Sequence, residues 1–155
     1  MLVNLWYVAA LAAEVPADRP YGVRMLGHDI ALFRDEAGAI RALSDVCIHR
    51  GGSLCRGKLH PGRLACPYHG WQFDGDGRCR LIPAMGDAAV IPRRARVDAY
   101  PVVVKYGLVW VFIGDAPEAQ RPPIPDMFEK YIDAPEWRCV AGKFLFPANW
   151  QRVME

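Results

Sequence analysis

The sequence has no C-x-x-C pair, and its cysteines are few and odd in number, five in 155 residues. Thiol–disulfide exchange of the thioredoxin kind is therefore excluded, and a disulfide-stapled scaffold is disfavoured. No run is long and apolar enough to cross a bilayer. The apolar start, Leu2 to Ala13, is not a secretory signal, because no basic residue precedes Arg19 and because Asn4, Trp6 and Tyr7 interrupt it. It reads as a strand leading into a short helical turn. Neither sign of charge dominates: 19 Lys and Arg face 17 Asp and Glu, a net charge of +2. That balance points to neither nucleic-acid binding nor disorder. No helical stripe of useful length, internal repeat or low-complexity tract is present. These absences leave a single modest domain with no membrane or nucleic-acid partner, suited to a reducing cytoplasm.

What is present is a series of short strands separated by turns, the pattern of an all-β fold. Gly22 to Leu26, Asp29 to Arg34 and Ile40 to Ser44 read as strands, with Asp35-Glu36-Ala37-Gly38 turning between the last two. Arg63 to Cys66 and Trp71 to Phe73 read as short strands, followed by the turn Asp74-Gly75-Asp76-Gly77. Val97 to Lys105 and Leu108 to Ile113 form a second predicted hairpin about Tyr106-Gly107. Composition then changes. Pro117, Pro122, Pro123, Pro125 and Pro135 make 116–136 a stiff, extended linker. Trp137 to Phe146 returns to strand character, and the segment from Pro147 to Glu155 starts like a helix.

Two segments carry the chemistry: Cys47-Ile48-His49 and Cys66-Pro67-Tyr68-His69. One Cys and one His in each suit a Rieske 2Fe–2S cluster, in which two thiolates hold one iron and two imidazoles the other. Two ferric ions, two sulfides and two thiolates sum to zero charge. Four thiolates would leave two negative charges and a lower potential. Structural zinc also takes Cys and His, but a one-residue Cys-x-His gap is tighter than zinc ligands favour. Isolated buried cysteines and ordinary histidines would not recur in two matched segments. Gly51, Gly52 and Gly70 beside these residues either let backbone N–H groups approach sulfur or permit tight turns; both readings stand.

The longer strings Cys47-Ile48-His49-Arg50-Gly51-Gly52-Ser53-Leu54, Gly57 and Cys66-Pro67-Tyr68-His69-Gly70-Trp71-Gln72-Phe73 resemble the cluster signature of Rieske non-haem iron oxygenases, C-x-H-R-G-x-x-L followed by C-P-Y-H-G-W. The resemblance implies antiparallel basal sheets over 1–115 with a cluster-binding lobe inserted at 45–83. It implies that Cys47 and Cys66 bind one iron, that His49 and His69 bind the other, and that His69 is the electron exit. Respiratory Rieske proteins carry an extra Cys pair where this chain has Gly52 and Tyr68. The potential is therefore expected at the low end of the Rieske range, about −150 mV. Cys55, Cys79 and Cys139 are expected to be ordinary thiols.

The tail Asn149-Trp150…Glu155 resembles the opening helix of the oxygenase catalytic domain, so 137–155 is expected to be the start of a truncated catalytic domain. The mononuclear Fe(II) of such enzymes needs two His and a carboxylate. His28, at a strand start, and His60, in the loop before Pro61, are not expected to form such a pair, so this chain alone should transfer electrons without hydroxylating. By resemblance the full-length protein is a ring-hydroxylating or O-demethylating dioxygenase or monooxygenase of aromatic hydrocarbon catabolism. It would be a homotrimer fed by a flavin and iron–sulfur reductase or a ferredoxin. A freestanding Rieske-type ferredoxin is the alternative. Arg50, Arg56, Lys58, Arg63, Arg78 and Arg80 give the lobe a basic face, read either as a steering surface for an acidic donor or as an ordinary solvated surface.

Overall fold

The computed structural model of the chain describes residues 3–86, 90–126, 129–132, 134–138, 140 and 142–154. It contains eleven strands among these residues. The first sheet joins β1 (Leu5–Leu11), β11 (Leu108–Ile113) and β10 (Val102–Lys105) in that order. The second joins β2 (Tyr21–Met25), β3 (His28–Arg34), β4 (Ile40–Ser44) and β9 (Ala99–Tyr100). The third joins β5 (Lys58–His60), β6 (Arg63–Ala65), β7 (Gln72–Asp74) and β8 (Cys79–Leu81). Every pairing is antiparallel. The fold is all-β, as expected.

The run Ile30-Ala31-Leu32-Phe33 in β3 decides the layering, because all four residues are fully buried. Side chains alternate across a strand, so four buried in succession require cover on both faces. Ile30 and Leu32 pack in one core with Ala10, Val15, Ile40, Val109 and Val111. Ala31 and Phe33 pack in another with Leu43, Leu54, Leu64, Phe73 and two of the candidate ligands, Cys47 and Cys66. The second sheet is thus the middle layer, with the first sheet on one side and the third on the other. β4 contributes to both cores and runs directly into the first ligand segment.

Both predicted Asp-to-Gly turns use one device. Asp35 Oδ1 accepts the N–H groups of Ala37 and Ala39, and Asp74 Oδ1 those of Asp76 and Arg78. The other carboxylate oxygen takes an arginine from the returning strand, Arg41 at 2.7 Å and Arg80 at 2.6 Å. Such Asx turns explain why these tetrapeptides are hairpins.

Several expectations need correction. Val97 to Lys105 is not one strand: β9 pairs with β4, and β10 pairs with β11 in a different sheet. Pro101 lies between them. It has no N–H for a ladder, and its carbonyl accepts the Phe112 N–H at 3.0 Å. His60 is the last residue of β5, not part of a loop. β5 and β8 are only three residues each, too short to show alternation in sequence. The 116–136 stretch is not uniformly extended, since it holds a 3-10 turn at Glu118–Gln120 and a short helix α1 (Glu129–Ile132). Trp6 Nε1 donates to the Pro122 carbonyl at 2.8 Å, and Arg121 lies over the Phe112 ring. The proline-rich segment therefore packs on the first sheet up to this point.

The chain divides into two compact units, 1–124 and 125–155. Within the second, the described residues of Trp137 to Phe146 form no strand, and Phe144 and Leu145 are almost fully exposed. An isolated apolar run gains nothing from an extended conformation without a ladder partner. The helix expected after Pro147 is α2 (Trp150–Met154), capped by Asn149 Oδ1, which accepts the Gln151 N–H at 2.9 Å. Cys139 lies outside the described residues.

Candidate metal centre

The two Cys/His segments form a pair of loops with the same backbone hydrogen bonding. In the first, the Cys47 N–H donates to Gly52 O at 2.9 Å and the Gly51 N–H to Cys47 O at 2.8 Å. In the second, the Cys66 N–H donates to Trp71 O at 2.8 Å and the Gly70 N–H to Cys66 O at 3.0 Å. Gly51 and Gly70 have φ of 69° and 72°, a left-handed conformation that glycine adopts without steric cost. Their N–H groups are used to close the turns, so the tight-turn reading of these two glycines is the one the structure supports. The matching bonds equate Gly51 with Gly70 and Gly52 with Trp71. The sequence hides this equivalence because the histidines stand at different offsets from their cysteines.

The loops bring Cys47 beside Cys66 and His49 beside His69, while no three of the described His, Cys, Asp or Glu residues gather around a single point. Cys47 and Cys66 are buried, at 2% and 4% exposure, and neither forms a disulfide. Burial raises the Cys47 thiol to about 11, and adjacent Cys66 opposes its ionisation further. The rings of His49 and His69 are exposed, with centroids 4.6 Å apart. Desolvation first, then the nearby charges of His69 and Arg50, lower the His49 pKa below the ordinary imidazole value. Trp71 stacks on His49 at 4.6 Å and 7°, and Tyr68 lies against His69 at 3.9 Å. A Cβ on Gly52 would sit 2.9 Å from Cys66 Sγ, so the two loops meet closely only because that position carries no side chain.

The profile of the Rieske [2Fe-2S] domain matches residues 5–101. The chain belongs to that family. As a Rieske domain it takes a 2Fe–2S cluster. It is 42% identical over 123 residues to the 4beta-methylsterol monooxygenase of Methylococcus capsulatus, covering 79% of this chain and 33% of that protein. It is 38% identical over 152 residues to the oxygenase component of dicamba O-demethylase from Stenotrophomonas maltophilia, covering 98% and 43%. The crystal structure of dicamba monooxygenase bound to 3,6 dichlorosalicylic acid superposes with a TM-score of 0.71 at 41% identity, over 79% of this chain and 35% of that one. The chain thus spans about a third to two fifths of the length of these relatives.

Of the remaining described cysteines and histidines, none lies in either ligand loop, although Cys79 and Cys55 border the same core as Cys47 and Cys66. Cys55 is held by Asp45 and Ser53, and Cys79 donates to Leu81 O at 3.4 Å. Burial raises both thiols above their ordinary pKa. His28 sits in the middle sheet with its Nδ1 3.3 Å from the Tyr100 hydroxyl, and His60 ends β5 in the third sheet. Of the basic residues, Arg80 and Arg78 pair with Asp74 and Asp76, and Arg63 reaches Gln72. Arg50, Arg56 and Lys58 are exposed and have no ion pair among the described residues. No helix among the described residues is long and apolar enough to cross a membrane. Sequence reasoning missed the Trp71–His49 stack; Trp71 was part of the motif, but no spacing rule assigns it a partner.

Proposed function

We propose that Cys47 and Cys66 bind one iron of the cluster and His49 and His69 the other. In this reading the chain is the electron-entry domain of a ring-hydroxylating or O-demethylating Rieske oxygenase. The observation that carries it is the convergence of two buried thiols and two exposed, adjacent imidazoles on loops of identical hydrogen bonding. The residues fit the group. Two thiols that form no disulfide adjoin each other in an apolar core and would hold one iron, and two adjoining exposed imidazoles would hold the other. When bound, the cluster supplies one-electron transfer.

The chain's own residues do the rest. The core around Cys47 and Cys66 excludes water from the sulfur side. Trp71 fixes the plane of His49 by stacking. His69, exposed between Tyr68 and His49, is the electron exit and presents its ring to the acceptor. Arg50, Arg56 and Lys58 offer an acidic donor, a flavin and iron–sulfur reductase or a ferredoxin, a positively charged approach. In the whole protein, 116–136 links this domain to a catalytic domain that begins at 137–155. That catalytic domain holds the mononuclear Fe(II), and the assembly is a cytoplasmic homotrimer.

Anaerobically purified chain should contain two iron and two acid-labile sulfide, with a rhombic electron paramagnetic resonance signal only after reduction. Stoichiometric zinc without sulfide overturns the assignment. Separately, reduction by an acidic plant-type ferredoxin should slow by about tenfold or more as salt rises, since steering typically raises on-rates by 10 to 1,000. A salt-independent rate removes the steering surface while leaving the ligands untouched.

A further inference from the structure

The two ligand loops share their tips but not their bases. The second is continuous with β6 and β7, which pair residue by residue from Ala65↔Gln72 down to Arg63↔Asp74. The first leaves β4, but its returning limb is a 3-10 turn at Leu54–Arg56, which offers no ladder. Asp45 fills that place. Its N–H donates to Asp29 O on β3 and its C=O accepts the Leu54 N–H, both at 2.8 Å. Its carboxylate accepts the Cys55 N–H through Oδ1, and through Oδ2 the Ser53 hydroxyl at 2.7 Å and the Cys55 thiol at 3.4 Å. Ser53 in turn bridges to Val46. Residues 46–52, with Cys47 and His49 among them, hang from a base closed by that single bridge, the Asp45–Leu54 backbone bond and the Asp45 carboxylate.

We propose that Asp45 is a positioning residue for the cluster, its carboxylate anchoring the 3-10 limb of the first ligand loop where the backbone pairing ends. This rests on the ligand assignment above. Bonds to a carboxylate are roughly twice as strong as neutral ones, and residues that orient metal ligands typically change affinity by about 10- to 100-fold when removed. Gly22 of β2 belongs to the same base: a Cβ there would lie 2.8 Å from Cys55 Sγ, so a side chain at this position must displace the thiol.

The test uses the full chain with its cluster loaded. Wild-type iron and sulfide content is measured first; if no cluster forms, the ligand assignment fails and Asp45 is not the cause. Given a loaded wild type, Asp45→Ala should lose its cluster to a chelator about 10- to 100-fold faster and show an altered reduced resonance line shape. Asp45→Asn keeps an oxygen for the Cys55 N–H and can offer its amide N–H to Ser53 Oγ. It should restore the wild-type line shape and most of the retention. Gly22→Ala, should Asp45→Ala fail to fold, should speed cluster loss in the same direction by displacing Cys55. The thermal midpoint of each cluster-free variant separates folding from positioning. Wild-type retention and line shape in folded Asp45→Ala, or in Gly22→Ala, overturns the proposal.

Discussion

His69→Ala should lose the cluster, while His60→Ala should keep its full iron and sulfide content. The contrast is sharp because both residues are exposed histidines of the same lobe. His69 lies 4.6 Å from the His49 ring at the meeting of the two loops, whereas His60 ends β5. Removal of a partner that merely orients a ligand typically costs 10- to 100-fold in metal affinity, so loss of a ligand should cost at least that. Iron and sulfide assays on the two purified variants, with the absorbance of the oxidised cluster, decide the matter. Equal losses in both, or none in either, would place the ligands elsewhere.

Gly57→Ala should destabilise the domain severely, although alanine is ordinarily a mild replacement. Gly57 has φ of −85°, open to any residue, so the obstacle is purely steric. A Cβ would sit 1.9 Å from the Ala65 carbonyl oxygen and 3.0 Å from that of Leu54. Both are backbone atoms, one immediately before Cys66 and the other at the returning limb of the first loop. Overpacking typically costs about 1–3 kcal/mol, and an obstacle that cannot rotate away puts this case at the upper end. About 3 kcal/mol corresponds to a fall in Tm of about 6–12 °C for a chain of this size. Gly142→Ala, whose new Cβ would meet only Phe144 at an ordinary 3.8 Å, should leave Tm unchanged. Calorimetry of the pair checks both; equal melting temperatures would mean that the β5–β6 hairpin yields freely.

The metal chemistry was legible because it is local. Each candidate ligand lies within two or three residues of its partner, and the flanking Arg-Gly-Gly and Tyr-His-Gly-Trp are contiguous in the chain. The Asp35 and Asp74 turns were legible for the same reason. What failed was non-local. Nothing around Val97 to Lys105 tells that the residues before Pro101 pair with β4 and those after it with β11. Trp137 to Phe146 has the composition of a strand, yet pairing needs a neighbour that composition does not encode. Gly57 was visible as part of a motif, but its reason, the approach of the Ala65 carbonyl, exists only once two limbs are folded together. Asp45 gave no signal, since an aspartate after a strand is ordinarily a turn residue.

The pairing of β1 with β11, Leu5 against Ile113, sets an order of events during synthesis. Contacts close in sequence form before distant ones, because closing a long loop costs more entropy. The β5–β8 meander and both ligand loops are complete by Leu81, well before the last strand of the first sheet has emerged. The metal-binding end can therefore take shape while the first strand of the chain is still unpaired. Iron and sulfide delivered at that stage would bind a partly built protein. The apolar face of the middle sheet that later meets Val109, Val111 and Ile113 would then still be open. Slow cluster delivery and premature association through that face would be two outcomes of one kinetic competition, settled only when β11 closes over it.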